Sequence, residues 1–308
     1  GKCIESRKGE ERVLSRRLDR VYEKAPVLTF PDYARLVFMS DCHRGVGNGN
    51  DNFEQNQNLC FAALQYYYAN GFTYFELGDG EELWENRSLS KIVETYGNIY
   101  WFLREFYRRN RLYMIYGNHD YAKHKPKYVR KNYASFYNDC TNRWEELFPD
   151  LKICEAYRVR IMDTEIFLLH GHQCDLLNDY LHVFTKWMVR YVWGPLEMIG
   201  LKAPAGPTES HRKAEKGEKR FLRFAKDKNI YVLCGHTHEA RLGEDLYLND
   251  GSMVHPRCIT AIEIVGREIC LVKWEVTVNP CGYLMIHRTV LEEKRELKPI
   301  ARNGHFYG

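Results

Sequence analysis

Five clusters of acid, amide and imidazole side chains recur along this chain of 308 residues: Asp41-Cys42-His43, Asp79, Asn118-His119-Asp120, His170-Gly171-His172 and His236-Thr237-His238. Each directly follows an apolar run. Taken singly, each is weak. A lone D-x-H is ordinarily a loop with a capped aspartate, and Gly-Asn-His-Asp is ordinary turn chemistry, because Gly, Asn and Asp favour turns. His-x-His says more. Two imidazoles at i and i+2 share a direction only on extended backbone, and a metal ion would reward that. The ligand types are oxygen and imidazole without thiolate, which suits divalent manganese, iron or zinc. More groups gather than one tetrahedral ion needs, so two ions sharing a carboxylate fit better. Two metals about 3.5 to 4 Å apart can bind a bridging hydroxide and clamp an in-line phosphoryl displacement, with no protein nucleophile.

These groups need elements to bring them together. RLVFM (35–39), FTYFEL (72–77), LYMIY (112–116), EIFLL (165–169) and IYVLC (230–234) read as short, fully buried strands. Between them, residues 53–70 and 89–109 carry apolar residues at helical spacing, and residues 10–24 form an earlier helix that Pro26 stops. Strands alternating with helices predict an α/β sheet covered on both faces, where ligands collect outside the carboxyl ends of the strands. After residue 240 the pattern changes to ITAIEIVG, REICLVKWEV and GYLMIHRTVL, which read as an antiparallel continuation that could form a second sheet. Residues 121–150 and 173–225 break the alternation and are expected as insertions that cap the site. The expected domains are a helical extension at 1–28, a catalytic domain at 29–292 and a tail at 293–308.

Composition narrows the setting. A hydrophobic share of 44% with 28% charged residues is that of a soluble globular protein. No apolar run approaches the roughly 18 to 20 residues of a membrane span. The opening GKCIESRKGEER lacks the apolar stretch of a secretory signal, and ten cysteines lie scattered without a CxxC pair. Reduced thiols and a cytoplasmic location are expected. A net charge of +4 is too small to argue for nucleic acid.

In order, D-x-H (Asp41, His43), G-D-x-x-acid (Gly78, Asp79, Glu82), G-N-H-D (117–120), His170 and G-H-x-H (235–238) resemble the calcineurin-like metallophosphoesterase superfamily. The match spans about residues 35 to 255 and includes LNDGSMV at 248–254. The resemblance implies an α/β fold, a four-layer α/β/β/α sandwich with helical insertions over the site, and hydrolysis of a phosphodiester, pyrophosphate or phosphomonoester. Carried over by position, Asp41, His43 and His238 would bind one divalent ion and Asn118, His170 and His236 the other. Asp79 would bridge them. Manganese is the first expectation, with iron or zinc as alternatives. His119 would stand beside the substrate, steadying phosphate charge or protonating the leaving oxygen, with Glu82 or Asp120 orienting it. GDGEELW and HGHQCD are most similar to the branch containing UDP-diacylglucosamine pyrophosphohydrolase, although His172 stands where that branch has an aspartate.

The expected substrate is a phosphorylated small molecule or a nucleotide-type compound. Lys123, Lys125, Lys127, Arg130 and Lys131 follow the G-N-H-D motif and read either as a solvated run or as a cationic rim. Tyr180, Phe184, Trp187, Met188 and Tyr191 form an aromatic stripe, either packing or a lid, and Arg212, Lys213, Lys216, Lys219 and Arg220 an exposed basic face. Cys42 and Cys174 are expected to pack as small buried hydrophobes. Two other readings compete: a metal-binding scaffold without catalysis, which gives no reason to keep His119, and a nuclease whose affinity would fall steeply with salt.

Overall fold

The computed structural model describes residues 2–138, 140–174, 207–243 and 245–299. Its strands fall into two main sheets. In the larger, β2 (Arg35–Met39), β3 (Thr73–Leu77), β4 (Leu112–Ile115) and β7 (Ile153–Cys154) run parallel. In the smaller, the order is β1 (Val27–Phe30), β8 (Ala156–Ile161), β9 (Thr164–Leu169), β10 (Tyr231–Cys234) and β11 (Tyr247–Asn249). Strands β9, β10 and β11 are mutually parallel.

Both faces of β2 are buried, and its alternating side chains serve two cores. Leu36 and Phe38 point between the sheets with Phe75, Leu77, Ile166, Leu168 and Leu233. Val37 and Met39 face the helices with Tyr74 and Met114. A strand buried on both sides reads as a continuous apolar run, which is how RLVFM stands in the sequence. Over the outer face of the larger sheet lie α2 (Gln57–Ala69), α3 (Leu89–Thr95), α4 (Gly97–Arg108) and α5 (Pro126–Tyr133). The outer face of the smaller sheet receives α1 (Lys2–Lys24), through Leu18 and Val21, and α6 (Pro207–Lys228), through Phe221, Phe224 and Ala225. Helix, sheet, sheet, helix is the four-layer α/β sandwich.

Two expectations change. The helix expected over 89–109 is divided between α3 and α4. Tyr96 caps α3 with φ −113° and ψ 37°, its hydroxyl donates to Asp51 Oδ2 at 2.5 Å, and the following Gly97 is a weak helix former. The strands after residue 240 do not make a sheet of their own. β12 (Cys258–Val265) pairs antiparallel with β2, and β13 (Glu268–Val278) and β14 (Leu284–Glu296) continue outward, so the larger sheet has seven strands. Pairing with β2 lets Ile262 and Ile264 join the core between the sheets while Ile259 and Ala261 join the helical side.

Residues 121–150 hold a short 3-10 turn (Tyr121–His124), α5 and the hairpin β5 (Ser135–Asn138) and β6 (Arg143–Glu146). The aromatic stripe at 180–191 lies outside the described residues, as do the tail from 300 and the side chains of Arg212 and Lys213. Lys219 is exposed and pairs with Glu215 at 2.6 Å, whereas Arg220 donates to the Cys174 carbonyl. Cys42 and Cys174 are buried, and the nine cysteines from Cys42 to Cys281 are free. No described helix is long and apolar enough to cross a membrane.

Candidate metal centre

Strands β2, β3 and β4 of one sheet and β9 and β10 of the other end against a common cleft, and each passes directly into one of the polar clusters. The ladder between β2 and β3 continues past the strands: Asp41, His43 and Arg44 donate their amides to the carbonyls of Gly78, Asp79 and Gly80 at 3.1, 2.9 and 3.0 Å. These bonds hold an unusual backbone. Asp41, His43, Asp79, His236 and His238 are all left-handed, with φ of 53°, 47°, 51°, 69° and 60°. Non-glycine residues rarely enter that region, and each such residue costs about 1–3 kcal/mol that surrounding structure must offset.

The two aspartates are used alike. Asp41 Oδ2 accepts from Ser40 Oγ at 2.5 Å and from the His236 amide at 2.8 Å. Its Oδ1 lies 3.1 Å from His238 Nε2 and 3.6 Å from His43 Nε2, outside hydrogen-bond geometry. Asp79 Oδ1 accepts from the His119 amide at 2.8 Å, while Oδ2 lies 3.1 Å from His170 Nε2 and 3.8 Å from His43 Nε2. In each carboxylate one oxygen is tied to the backbone and the other is aimed at imidazoles. Gly117 permits this packing, because a Cβ there would stand 2.1 Å from Asp79 Oδ1.

The imidazoles are set up to present lone pairs. His170 donates Nδ1–H to the Leu77 carbonyl at 2.8 Å, so a neutral ring leaves Nε2 as an acceptor. That nitrogen faces Asp79 Oδ2 at 3.1 Å and Asn118 Oδ1 at 3.2 Å. Three electron-rich atoms meet in a buried place, and only a second proton or a cation reconciles them. Burial alone would lower the pKa of His170, but the carboxylates of Asp79 and Asp41 outweigh it and push it up to about 9. Burial would likewise raise the Asp79 carboxyl, yet His170 and His119 hold it well below the usual carboxylate range. His43 Nε2 and Asp41 Oδ1 are buried and have no hydrogen-bond partner. Nitrogen and oxygen atoms of Asp41, His43 and His238 lie within 4.8 Å of one another, as do those of Asp79, His170 and His236. The mixed donors and their unspent lone pairs fit divalent metal ions.

Beside this pair of clusters lies a cleft of about 360 Å³, lined by His43, Asp79, Asn118, His119, His236 and His238 together with Asn50, Asn52, Glu82, Trp84, Glu85 and Val254, while His170 lies buried behind it. His119 is partly exposed there. Glu82 Oε2 lies 2.6 Å from its Nδ1, and the same oxygen lies 3.1 Å from His43 Nδ1. The Trp84 indole stacks on its ring. Asp120 points elsewhere. Its Oδ1 accepts from the Gly117 amide at 2.6 Å and its Oδ2 from the Gly80 amide at 3.0 Å, and Lys123 pairs with it at 2.6 Å. It braces the turns after β3 and β4 from beneath.

Lys123 is therefore no part of a cationic rim. It is buried between Asp120 and Glu81, and the described lining of the cleft holds neither lysine nor arginine. Below the site, buried Arg44 forks onto Glu76 at 2.8 and 2.9 Å and reaches Glu81 at 2.8 Å. Sequence reasoning missed Arg44, Trp84 and the Ser40–Asp250 hydrogen bond of 2.7 Å. Each stands within a few residues of a motif, but nothing in spacing marks it. His172 is buried, its ring 5.6 Å from that of His170 and both nitrogens without a hydrogen-bond partner.

Solved structures that match the chain include a conserved uncharacterised protein of Streptococcus pneumoniae TIGR4 described as a predicted phosphoesterase. It shows 17% identity and a TM-score of 0.34, with 83% of this chain and 98% of that one covered. Vacuolar protein sorting 29 from Cryptosporidium parvum matches at 14% identity and TM-score 0.37, covering 84% and 98%. Vps29 from Chaetomium thermophilum matches at 10% and 0.36, covering 84% and 96%. No curated protein matches the chain. The model of the calcineurin-like phosphoesterase family matches residues 34–240, well over half of the chain and every cluster described above, and the protein belongs to that family.

Proposed function

We propose that this chain is a hydrolase that cleaves a phosphoester or phosphoanhydride with two divalent metal ions. One observation carries the reading: Asp79 Oδ2 stands between His43 and His170, at 3.8 and 3.1 Å, so a single carboxylate oxygen faces both clusters of candidate ligands. Asp41, His43 and His238 would hold one ion, Asn118, His170 and His236 the other, and Asp79 both. When bound, such ions supply Lewis-acid charge and bring the pKa of water toward neutrality. The chain's own residues do the rest. Glu82 keeps the Nδ1 proton of His119 in place, which leaves Nε2 for the cleft. Carrying a second proton there, the imidazolium would donate Nε2–H to a phosphoryl oxygen or to the departing oxygen as negative charge grows on it, and would be left as the neutral ring with Nδ1–H on Glu82. Asp120 and Gly117 keep the turn carrying Asn118 and His119 against Asp79.

A hydrolysis screen with added manganese tests this, comparing simple monoesters and diesters with nucleotide-sugar pyrophosphates. The last class is included because of the likeness of GDGEELW and HGHQCD to the pyrophosphohydrolase branch. Turnover of one class that disappears on chelation and returns with metal is the expected result. Absence of hydrolysis across the panel, with a tightly bound protein partner, would favour the scaffold reading. Manganese is the first metal to try, then iron and zinc, with metal content measured on the protein as purified.

A further inference from the structure

We propose that Trp84 is a positioning residue for His119, fixing the plane in which its imidazole meets the substrate; this rests on the phosphoesterase reading above. The two rings stack with centroids 3.9 Å apart and planes 16° from parallel. Trp84 is 4% exposed, so the indole is a fixed wall. Its Nε1 donates to the Asn118 carbonyl at 2.8 Å, and its amide donates to Glu82 Oε1 at 3.1 Å. The other oxygen of the same glutamate takes His119 Nδ1 at 2.6 Å.

The contacts divide the work. A hydrogen bond at Nδ1 sets one direction for the ring but lets it pivot about the Nδ1–Oε2 line. The indole face removes that pivot, because any tilt would either collide with the indole or open a gap against it. His43 adds a second contact, meeting His119 edge-on at 4.6 Å and 89°. An imidazole that gains positive charge over an indole face is also stabilised by it. Because Nε1 grips Asn118, one side chain ties a candidate metal ligand and the substrate-facing ring into a single unit. Its role acts through His119 and calls for no contact with the reacting atoms.

Two variants and two readouts test this on the full-length protein, loaded with diamagnetic zinc for the ring-proton shifts and with the activating metal for turnover. Trp84→Phe keeps an aromatic face and Trp84→Leu does not. His119 ring protons, assigned by their loss in His119→Ala, are expected upfield in the wild type and in Trp84→Phe, and to move downfield in Trp84→Leu. With the best substrate of the screen, Trp84→Leu is expected to lower kcat about 10- to 100-fold, with KM within about two-fold and metal content unchanged. Trp84→Phe should stay within a few-fold of wild type. Unmoved ring protons in Trp84→Leu overturn the proposal, and so does a kcat that stays within two-fold while they move. A Trp84→Phe variant as slow as Trp84→Leu overturns it too, since the face would then be irrelevant. Should the wild type hydrolyse nothing, the phosphoesterase reading fails, and the ring shifts alone decide whether Trp84 sets the imidazole's plane.

Discussion

His119 Nδ1 and Glu82 Oε2 lie 2.6 Å apart, and Asp120, the next residue along from His119, is buried with its carboxylate on two backbone amides and Lys123. The glutamate, one methylene longer than an aspartate, reaches the ring and His43 Nδ1 with the same oxygen. Replacing His119 by alanine is expected to leave metal content intact and to lower turnover about 10²- to 10⁴-fold, the range of a lost general acid. Unchanged turnover would sink the role given to this ring. Glu82→Gln should cost less turnover but also weaken metal binding about 10- to 100-fold, because it steadies His43 as well.

Asp79 is the residue on which both clusters depend. Asp79→Asn keeps the shape and can still accept the His119 amide, but it removes the charge that His43 and His170 face. Metal content by elemental analysis is expected to fall for both ions together, and hydrolysis with it. Loss of one ion with full retention of the other would show that Asp79 belongs to a single site.

Gly117 tests the same carboxylate from the backbone side. Alanine there would put a Cβ 2.1 Å from Asp79 Oδ1. Overpacking of this kind costs about 1–3 kcal/mol, and Asp79 is the group that must give way. The expected variant folds, melts at a lower temperature and takes up less metal than wild type. Normal metal uptake would mean that the turn after β4 relaxes without disturbing Asp79.

Much of this was legible in the chain because the fold writes its site at strand ends. RLVFM, FTYFEL and LYMIY announce buried parallel strands by being apolar throughout, and the polar letters after them fall outside the sheet. Which sheet a strand joins is not written locally. β9 and β10 look like β2 and β3, yet they pair in the smaller sheet, while β12 to β14 extend the larger one. Long-range pairing decides that. The same limit hid the supports of the site. Arg44 and Trp84 sit in recognisable stretches, but their worth lies in Glu76, Glu81, Asn118 and His119, each 32 or more residues away. Lys123 read as one of a basic run because its acid partner Glu81 comes from another loop.

Glu81 is the centre of that hidden support. It takes Arg44 at 2.8 Å, the hydroxyls of Tyr100 and Tyr133 at 2.6 and 2.7 Å, and Lys123, all buried. Burial alone would raise its carboxyl, but Lys123 and Arg44 outweigh burial and hold it well below the usual carboxylate range. A carboxyl whose pKa is depressed in the folded state contributes stability that is complete above its unfolded value, about 4.3. That contribution is lost as pH falls toward the folded value. Glu81→Gln leaves two buried cations short of a partner, which costs about 3–5 kcal/mol at neutral pH. Urea unfolding of wild type and variant should therefore show a wide gap at pH 7 that narrows progressively below about pH 4, because there the carboxyl takes up its proton in the unfolded chain while the folded protein still holds it ionised. Acids remote from this cluster titrate alike in both proteins and cancel in the difference, whereas Glu76 and Asp120, which share Arg44 and Lys123 with Glu81, do not. A gap that stays constant from pH 7 to pH 3 would show that shape, and not charge, is what Glu81 contributes beneath the cleft.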